Sequence, residues 1–483
     1  MSPIAVLITV AAYFVVLFTV AYFAGRKADN QGFFVGNRKS PWFIVALAMI
    51  GSSISGVTFI SVPGWVEVNN FSYLQMVLGF VVGQFIIAFV LIPLFYRMQL
   101  VSIYEYLQQR FGISSYKTGA WFFFISKMLG AAVRIFLVCI VMQFLVFDPL
   151  GVDFIWNVAL TMLIVWLYTF QGGVKSLIWT DTLKTFCLIV SVGLCIYYIA
   201  SDLNLGFGSM FRAVADSDLS RTFFFDDVND KRYFFKQFLA GVFTVIAMNG
   251  LDQDMMQRNL SCATPRDSQK NIVLTAVSQI FVIFLFLVLG VLLYLYMECS
   301  GLTPPAKSDQ VFSLVAVDGG LPLVVGILFV VGLISSTYSA AGSALTALTT
   351  SFTVDILEGT KRCGEERLTR LRKGVHILMA LGMAAVILAF EYWADDSVIN
   401  LVYKVAGYTY GPILGMFAFG MFTRRKVRDR WIPLVAVAAP VLSALVQWWA
   451  REAWGYRIGF ELLIYNAAFT MIGMSLLVER DEK

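Results

Sequence analysis

Thirteen long apolar runs fill this chain almost from end to end, at residues 4–24, 41–65, 72–96, 119–147, 153–170, 176–200, 235–257, 272–297, 321–352, 374–392, 398–422, 431–450 and 459–478. A bilayer-crossing helix needs roughly 20 predominantly apolar residues, and in lipid every backbone N–H and C=O has to be satisfied within the protein. Continuous runs of this length predict helices, whereas a membrane β-barrel would show short segments of alternating polarity. The expected fold is therefore an all-α polytopic membrane protein with about 13 transmembrane helices. Only 14% of the 483 residues are charged, against about 25% in soluble domains, which excludes a soluble enzyme and a single-anchor receptor. The net charge of +5 comes from basic residues scattered through short loops, so a nucleic-acid surface is excluded too. The first run lacks a basic n-region and a small-residue cleavage site and is expected to be a retained helix.

Loop lysines and arginines set the orientation. Arg26, Lys27, Arg38 and Lys39 follow the first run, Arg97, Arg110 and Lys117 the third, and Arg258, Arg266 and Lys270 the seventh. Lys361, Arg362, Arg367, Arg370, Arg372 and Lys373 follow the ninth, and Arg424, Arg425, Lys426, Arg428 and Arg430 the eleventh. Most intervening loops are poor in basic residues. The N-terminus is expected outside and the C-terminus inside, with the mixed-charge segment 201–234 outside. The expected location is a multi-pass plasma membrane protein, and the compact loops suit a bacterial inner membrane. Six scattered cysteines show no metal or redox spacing, and the lone His376, near Arg372 and Lys373, is expected at a loop edge without chemistry.

Two runs are interrupted by small and polar residues. The second contains Gly51-Ser52-Ser53-Ile54-Ser55-Gly56 and then Pro63-Gly64, and the seventh contains Asn249-Gly250-Leu251-Asp252-Gln253-Asp254. Irregular backbone at membrane depth is tolerated where it lines a cavity, and paired broken helices in corresponding positions point to an inverted-repeat transporter with a midplane site. Small residues also serve plain helix packing. The ninth run carries Ser335, Ser336 and Ser339 on one face; such hydroxyls can ligate a hard cation or bond back to their own helix. Charges within the runs are costly. Arg134, Asp181, Asp252 and Lys404 stand out, whereas Lys127 and Lys184 are expected to snorkel and Asp254 to face water.

These residues resemble the sodium/solute symporter family, which includes sodium/glucose cotransporters, proline permease and bacterial sialic acid transporters. The carriers are Ser53-Ile54-Ser55-Gly56 with Pro63-Gly64, Gly172-Gly173 with Trp179-Thr180-Asp181, Gln257-Arg258, Gly332 to Ser336, and Gly411-Pro412 with Gly415. The resemblance covers nearly the whole chain. It implies a leucine-transporter-type fold: an extra helix and loop (1–40), a first inverted five-helix repeat (41–200), an outer loop (201–234), a second repeat (235–423) and two C-terminal helices (424–483). It also implies a sodium site made by the carbonyls of Gly51, Ile54 and Gly332 and the hydroxyls of Ser335 and Ser336. Asp181 would support that site or, with Ser339, bind a second sodium ion, although Tyr338 stands where a serine is expected. The sugar-contacting positions of the family correspond to Val77, Asp252, Gln279 and Lys404, all different in kind, so a plain hexose is disfavoured. Asp252 and Lys404 could face each other, binding a zwitterion or merely each other. Arg134 resembles the arginine with which sialic acid transporters hold a carboxylate. Ser53 and Thr58 complete the expected solute site, with Ser61, Gln75, Gln84 and Asn249 as further polar residues.

The implied function is sodium-coupled import of a small polar organic solute by alternating access, anionic or zwitterionic rather than a neutral hexose. The partners are the solute, Na+ and membrane lipid. Alternatives are proton coupling through Asp181 or Asp252, or a solute sensor built on the transporter fold. No enzyme chemistry is expected, because neither a histidine cluster nor a metal constellation is present in the sequence.

Overall fold

The computed structural model describes residues 3–25, 41–98, 100, 102–170, 173–362, 364–393 and 398–479. Its secondary structure is helical, in the order α1 (Pro3–Gly25), α2 (Trp42–Ser53), α3 (Gly56–Asn69), α4 (Tyr73–Ile86), α5 (Ile113–Met142), α6 (Phe154–Thr169) and α7 (Gly173–Asp202). There follow α8 (Phe234–Val245), α9 (Gln253–Asn259), α10 (Pro265–Ser300), α11 (Leu323–Ser351), α12 (Glu365–Trp393), α13 (Val398–Phe422), α14 (Ile432–Trp454) and α15 (Leu462–Leu476). Among the described residues nine helices are long and apolar enough to cross a membrane, or up to 11 if each of two bent pairs counts as one span. The shorter apolar helices α6 and α15 add to these.

Local chemistry sets the helix ends. Thr264 caps α10, its hydroxyl accepting from the Asp267 N–H, and Pro265 occupies the first turn, where its missing donor costs nothing. Gly301 and Gly455 end α10 and α14 in the left-handed conformation. Asp429 accepts from the backbone of Ser114 (2.8 Å) and Ser115 (2.9 Å) and so covers the N-terminus of α5 from the other end of the chain. Leu434, Val437, Val441, Leu445 and Trp448 stand exposed along one stripe of α14, a surface that suits lipid and not water.

The core is aromatic and tightly layered. Phe59 of α3 packs on Phe286 of α10 and Phe329 of α11, at centroid distances of 5.9 Å in both cases. Elsewhere backbones meet directly: a side chain at Gly241 of α8 would collide with the Met76 carbonyl of α4, and one at Gly79 of α4 with the Phe238 carbonyl of α8. His376 departs from expectation. The helix containing it begins at Glu365, well before the apolar run, so the residue lies inside α12. There it is buried between the hydroxyls of Thr169 (3.0 Å) and Thr349 (2.8 Å), tying α6 to α11.

Overpacking a helix contact of this closeness costs about 1–3 kcal/mol. Gly241→Val is therefore expected to lower the melting temperature in detergent, whereas Gly193→Val, with open space at the added carbon, leaves it unchanged.

Candidate functional site: two helix breaks around a buried charge chain

Both interruptions anticipated in the sequence are real bends. The axis turns by 51° between α2 and α3, and by 73° between the α8 segment ending at Gly250 and α9. At the first, the chain leaves the helix at Ile54 and Ser55, both with extended backbone. A helix that stops leaves its last carbonyls without intrahelical donors, so Gly51 to Ile54 become a source of unused oxygen ligands. Glycine brings this break against its neighbours. A side chain at Gly51 would run into the Thr185 hydroxyl of α7, and one at Gly56 into the Thr337 hydroxyl of α11, 3.3 Å from Ser336 Oγ.

The facing hydroxyls on α11 are fully buried. Ser335 donates to Gly332 O (3.1 Å) and Ser336 to Leu333 O (2.8 Å). Their protons point back along the helix, which leaves the oxygen lone pairs free to face a cation. Thr337 Oγ1 is buried without a hydrogen-bond partner. The break thus meets these hydroxyls at Gly56, and both sides carry oxygen atoms of the kind a hard cation takes. The expected sodium ligands Gly51, Ile54, Gly332, Ser335 and Ser336 lie on these two facing elements. The side chain of Ser339 and residue Gly172 lie outside the described residues. Tyr338, where a serine is expected, makes a 3.2 Å contact with the Thr161 hydroxyl.

Behind the breaks runs a chain of alternating charges, nearly all of it buried. Lys127 of α5 reaches both oxygens of Asp252 (3.2 Å) and Asp254 Oδ2 (2.9 Å). Asp254 accepts from Arg258 (3.3 Å), and Arg258 pairs with Asp181 of α7 (2.9 Å). Ser52 of α2 closes the chain by bonding both Arg258 and Asp181. Asp252 also accepts from Tyr410 Oη (2.7 Å) and caps α9 through the Met255 N–H.

Several expectations are corrected by this arrangement. Asp252 pairs with Lys127 and not with Lys404, because α13 turns Tyr403 and Tyr410 inward and leaves Lys404 exposed in a separate outer cavity. Lys127 and Lys184 do not snorkel: both are buried, and the Lys184 ammonium has no hydrogen-bond partner. Asp254 is buried between two cations and does not face water. A periodicity argument would have found Lys127, since Lys127, Gly130, Ala131 and Arg134 share one face of α5 at helical spacing.

That face opens on an inner cavity of about 100 Å³. Ser53, Thr58, Lys127, Arg134, Asn249, Asp252, Gln279, Tyr403 and Tyr410 are among its lining residues. Gln279 accepts from Gln84 (2.9 Å). Val77 is buried away from the cavity, Gln75 is used by the backbone at Phe224 and Arg232, and Ser61 is buried without a partner. Arg134 makes no ion pair among the described residues, and its Nε has no hydrogen-bond partner. Lys127, Arg134, Lys184 and Arg258 face three carboxylates, which leaves one positive charge in excess beside the cavity.

Broken helices around an inner cavity, with charges held inside the bundle, mark the class of ion-coupled secondary transporters. The chain belongs to the sodium:solute symporter family, whose family model matches residues 33–429. It is 24% identical to the human sodium/iodide cotransporter over 406 residues, covering 82% of this chain and 62% of that protein. To the sodium/sialic acid symporter of Aliivibrio fischeri it is 23% identical over 476 residues, 94% of this chain and 88% of the relative. To the sodium-coupled monocarboxylate transporter 2 of Danio rerio it is 25% identical over 412 residues, 83% and 65%. The fold matches a solved Na+-coupled sialic acid symporter in a substrate-bound, outward-open state at TM-score 0.80, with 17% identity and 98% and 97% coverage. It also matches a nucleobase-cation-symport-1 family transporter at TM-score 0.52, with 14% identity and 92% and 94% coverage. The architecture is thus that of leucine-transporter-type carriers.

Removing one member of a buried ion pair strands its partner, at a cost of about 3–5 kcal/mol. Lys127→Gln is accordingly expected to lower the melting temperature sharply, and Lys127→Arg to restore most of the loss. Equal melting of Lys127→Gln and the parent protein would show that the chain carries no stability.

Proposed function

We propose that the protein is a sodium-coupled symporter that imports a small organic anion by alternating access. The observation that carries this reading is the placement of the helix break, at Gly56, against Ser336 and Thr337, beside a cavity into which an unpaired Arg134 projects. Gly51, Ile54 and Gly332 would give carbonyls and Ser335 and Ser336 hydroxyls to one Na+, with Asp181 in support through Ser52 or, with Ser339, as part of a second site. Those ligands belong to two elements, so the ion holds α2 and α11 together and favours whichever conformation keeps them close. An ion with different affinities for two conformations shifts their populations, and this is how its gradient drives a second ligand.

Arg134 would hold the solute's carboxylate, a group that matches a guanidinium in shape and charge. Ser53, Thr58, Asn249 and Gln279 offer neutral hydrogen bonds around it, and Tyr410 and Lys127 keep Asp252 occupied. At about 100 Å³ the inner cavity is small beside ordinary ligand pockets of ~300–1,000 Å³, which favours a short-chain carboxylate over a bulky sugar acid in this conformation. The sialic acid and monocarboxylate specificities of the relatives agree with an anion. A zwitterion is disfavoured, because Asp252 is already committed to Lys127 and Tyr410. The reading includes 13 spans, repeats at 41–200 and 235–423, an outside N-terminus and a plasma-membrane location, in a bacterial inner membrane.

In proteoliposomes, short-chain carboxylate uptake is expected with an inward sodium gradient and not with choline. Ser336→Ala should raise the sodium concentration for half-maximal uptake by about tenfold, or ~1.4 kcal/mol. Arg134→Gln should raise KM for the carboxylate by about 30-fold or more, the usual loss for a truncated buried charge pair. Sodium dependence unchanged in Ser336→Ala would overturn the ion site, and unchanged KM in Arg134→Gln the anion site. For the orientation, Cys299 is exposed at the outer end of α10 while Cys139, Cys195 and Cys262 are buried. In a Cys187→Ser/Cys363→Ser background an impermeant maleimide is expected to label Cys299 on intact cells, and labelling only after lysis would reverse the topology.

A further inference from the structure

A second, larger cavity of about 700 Å³ adjoins the inner one. Tyr403 is the one described residue that lines both. Its hydroxyl meets that of Tyr73 at 2.7 Å, and its ring packs on Phe460 at a centroid distance of 4.7 Å. Trp65 touches both sides of this group, 5.8 Å from Tyr73 and 6.1 Å from Phe460. Four aromatic rings drawn from α3, α4, α13 and the segment before α15 therefore separate the two spaces.

The outer cavity is strongly basic. Lys231, Lys404, Arg451 and Arg457 line it, with Glu452 as the acidic exception among the lining residues. None of the four enters an ion pair among the described residues. They come from three separate parts of the chain: the 201–234 connection, α13, and the end of α14 with its following loop. Their convergence is a property of the folded molecule and not of one charged run. A space of this volume is roughly 11 Å across, so its centre lies about 5–6 Å from the wall, inside the ~8 Å Debye length at physiological salt, and screening leaves much of the field there intact. A cleft lined by one sign of charge between low-dielectric walls concentrates counter-ions and speeds their capture. Trp448 and Tyr456 add aromatic faces, and Gln237 and Gln447 add amides.

We propose that the outer cavity is a second binding site for the carboxylate-bearing solute, occupied before the Tyr73–Tyr403 contact opens. It rests on the anionic-solute reading above, but uses neither Arg134 nor the sodium ligands. Binding there is sodium-independent, weak and salt-sensitive, and the site is roomier than the inner one. It raises the solute concentration at the aromatic partition and so speeds loading of the inner site, which lowers KM for uptake without changing the inner site's equilibrium affinity.

The test uses the purified full chain in nanodiscs and ligand-observed NMR titration with benzoate, a carboxylate on a flat ring. In choline, benzoate is expected to bind the parent protein and Arg134→Gln with equal affinity. The Arg451→Gln/Arg457→Gln double variant is expected to raise its Kd at least tenfold, and Lys404→Gln severalfold, with the sodium-induced rise in melting temperature kept as the check on folding. Raising the ionic strength should weaken benzoate binding to the parent more than to the double variant. Benzoate binding unchanged in a folded double variant would overturn the outer site and leave the four basic residues as anchors for lipid headgroups. Loss of all binding in Arg134→Gln would also overturn it, by placing the benzoate at the inner site. Failure of the inner reading has a separate signature, namely sodium-dependent uptake indifferent to Arg134→Gln.

Discussion

The alternating chain Asp252–Lys127–Asp254–Arg258–Asp181 is the interaction on which the middle of the molecule depends. The seven-residue α9 is too short to be stable by itself, and it supplies Asp254 and Arg258 and is capped by Asp252. What keeps it in place is the set of partners reaching it from α5, α7 and α2. Each charge in the chain has lost its water, and each is affordable only while its neighbours stay. The chain borders the inner cavity at the Asp252–Lys127 end and touches the α2 break through Ser52 at the other. A shift of α2 against α7 therefore disturbs side chains that line the inner cavity, a contiguous physical link of the kind that coupling between sites can use.

Glycine has a corresponding role at the two seams. Gly51 and Gly56 let the broken helix lie against α7 and α11, and Gly79 and Gly241 let α4 and α8 touch backbone to backbone. In lipid, close approach of this sort replaces the hydrophobic drive that assembles soluble proteins. The aromatic layer above the cavity works differently. Its rings meet edge to face or tilted, with one hydroxyl pair at 2.7 Å, and none of its four residues is charged, so it can come apart without breaking an ion pair.

Much of this was legible in the sequence. Span positions follow from apolar runs, and both bends follow from glycine, serine and asparagine inside those runs, because lipid leaves few other uses for them. The Ser335–Ser336 face was visible for the same reason. The charge pairing was not. Lys127 and Asp252 are 125 residues apart, and nothing in a run of hydropathy says which way a helix is rotated in the bundle. On α13 a rotation signal did exist: Tyr403 and Tyr410 are two turns apart, so a face carrying both cannot carry Lys404. The aromatic partition was hidden because Trp65, Tyr73, Tyr403 and Phe460 come from four distant segments, each of which reads as ordinary apolar sequence.

The proposed role of Arg134 has an electrical consequence. If the solute is a monoanion held there as proposed, and one sodium ion travels with it, the two charges cancel and the loaded carrier moves no net charge. The membrane potential neither helps nor opposes such a step, and accumulation is limited by the sodium concentration ratio. A zwitterion would leave the ion uncompensated, and each elementary charge crossing 100 mV gains about 2.3 kcal/mol. On the proposed reading, and at one sodium ion per cycle, one side chain would set both what is carried and whether voltage is harnessed to carry it.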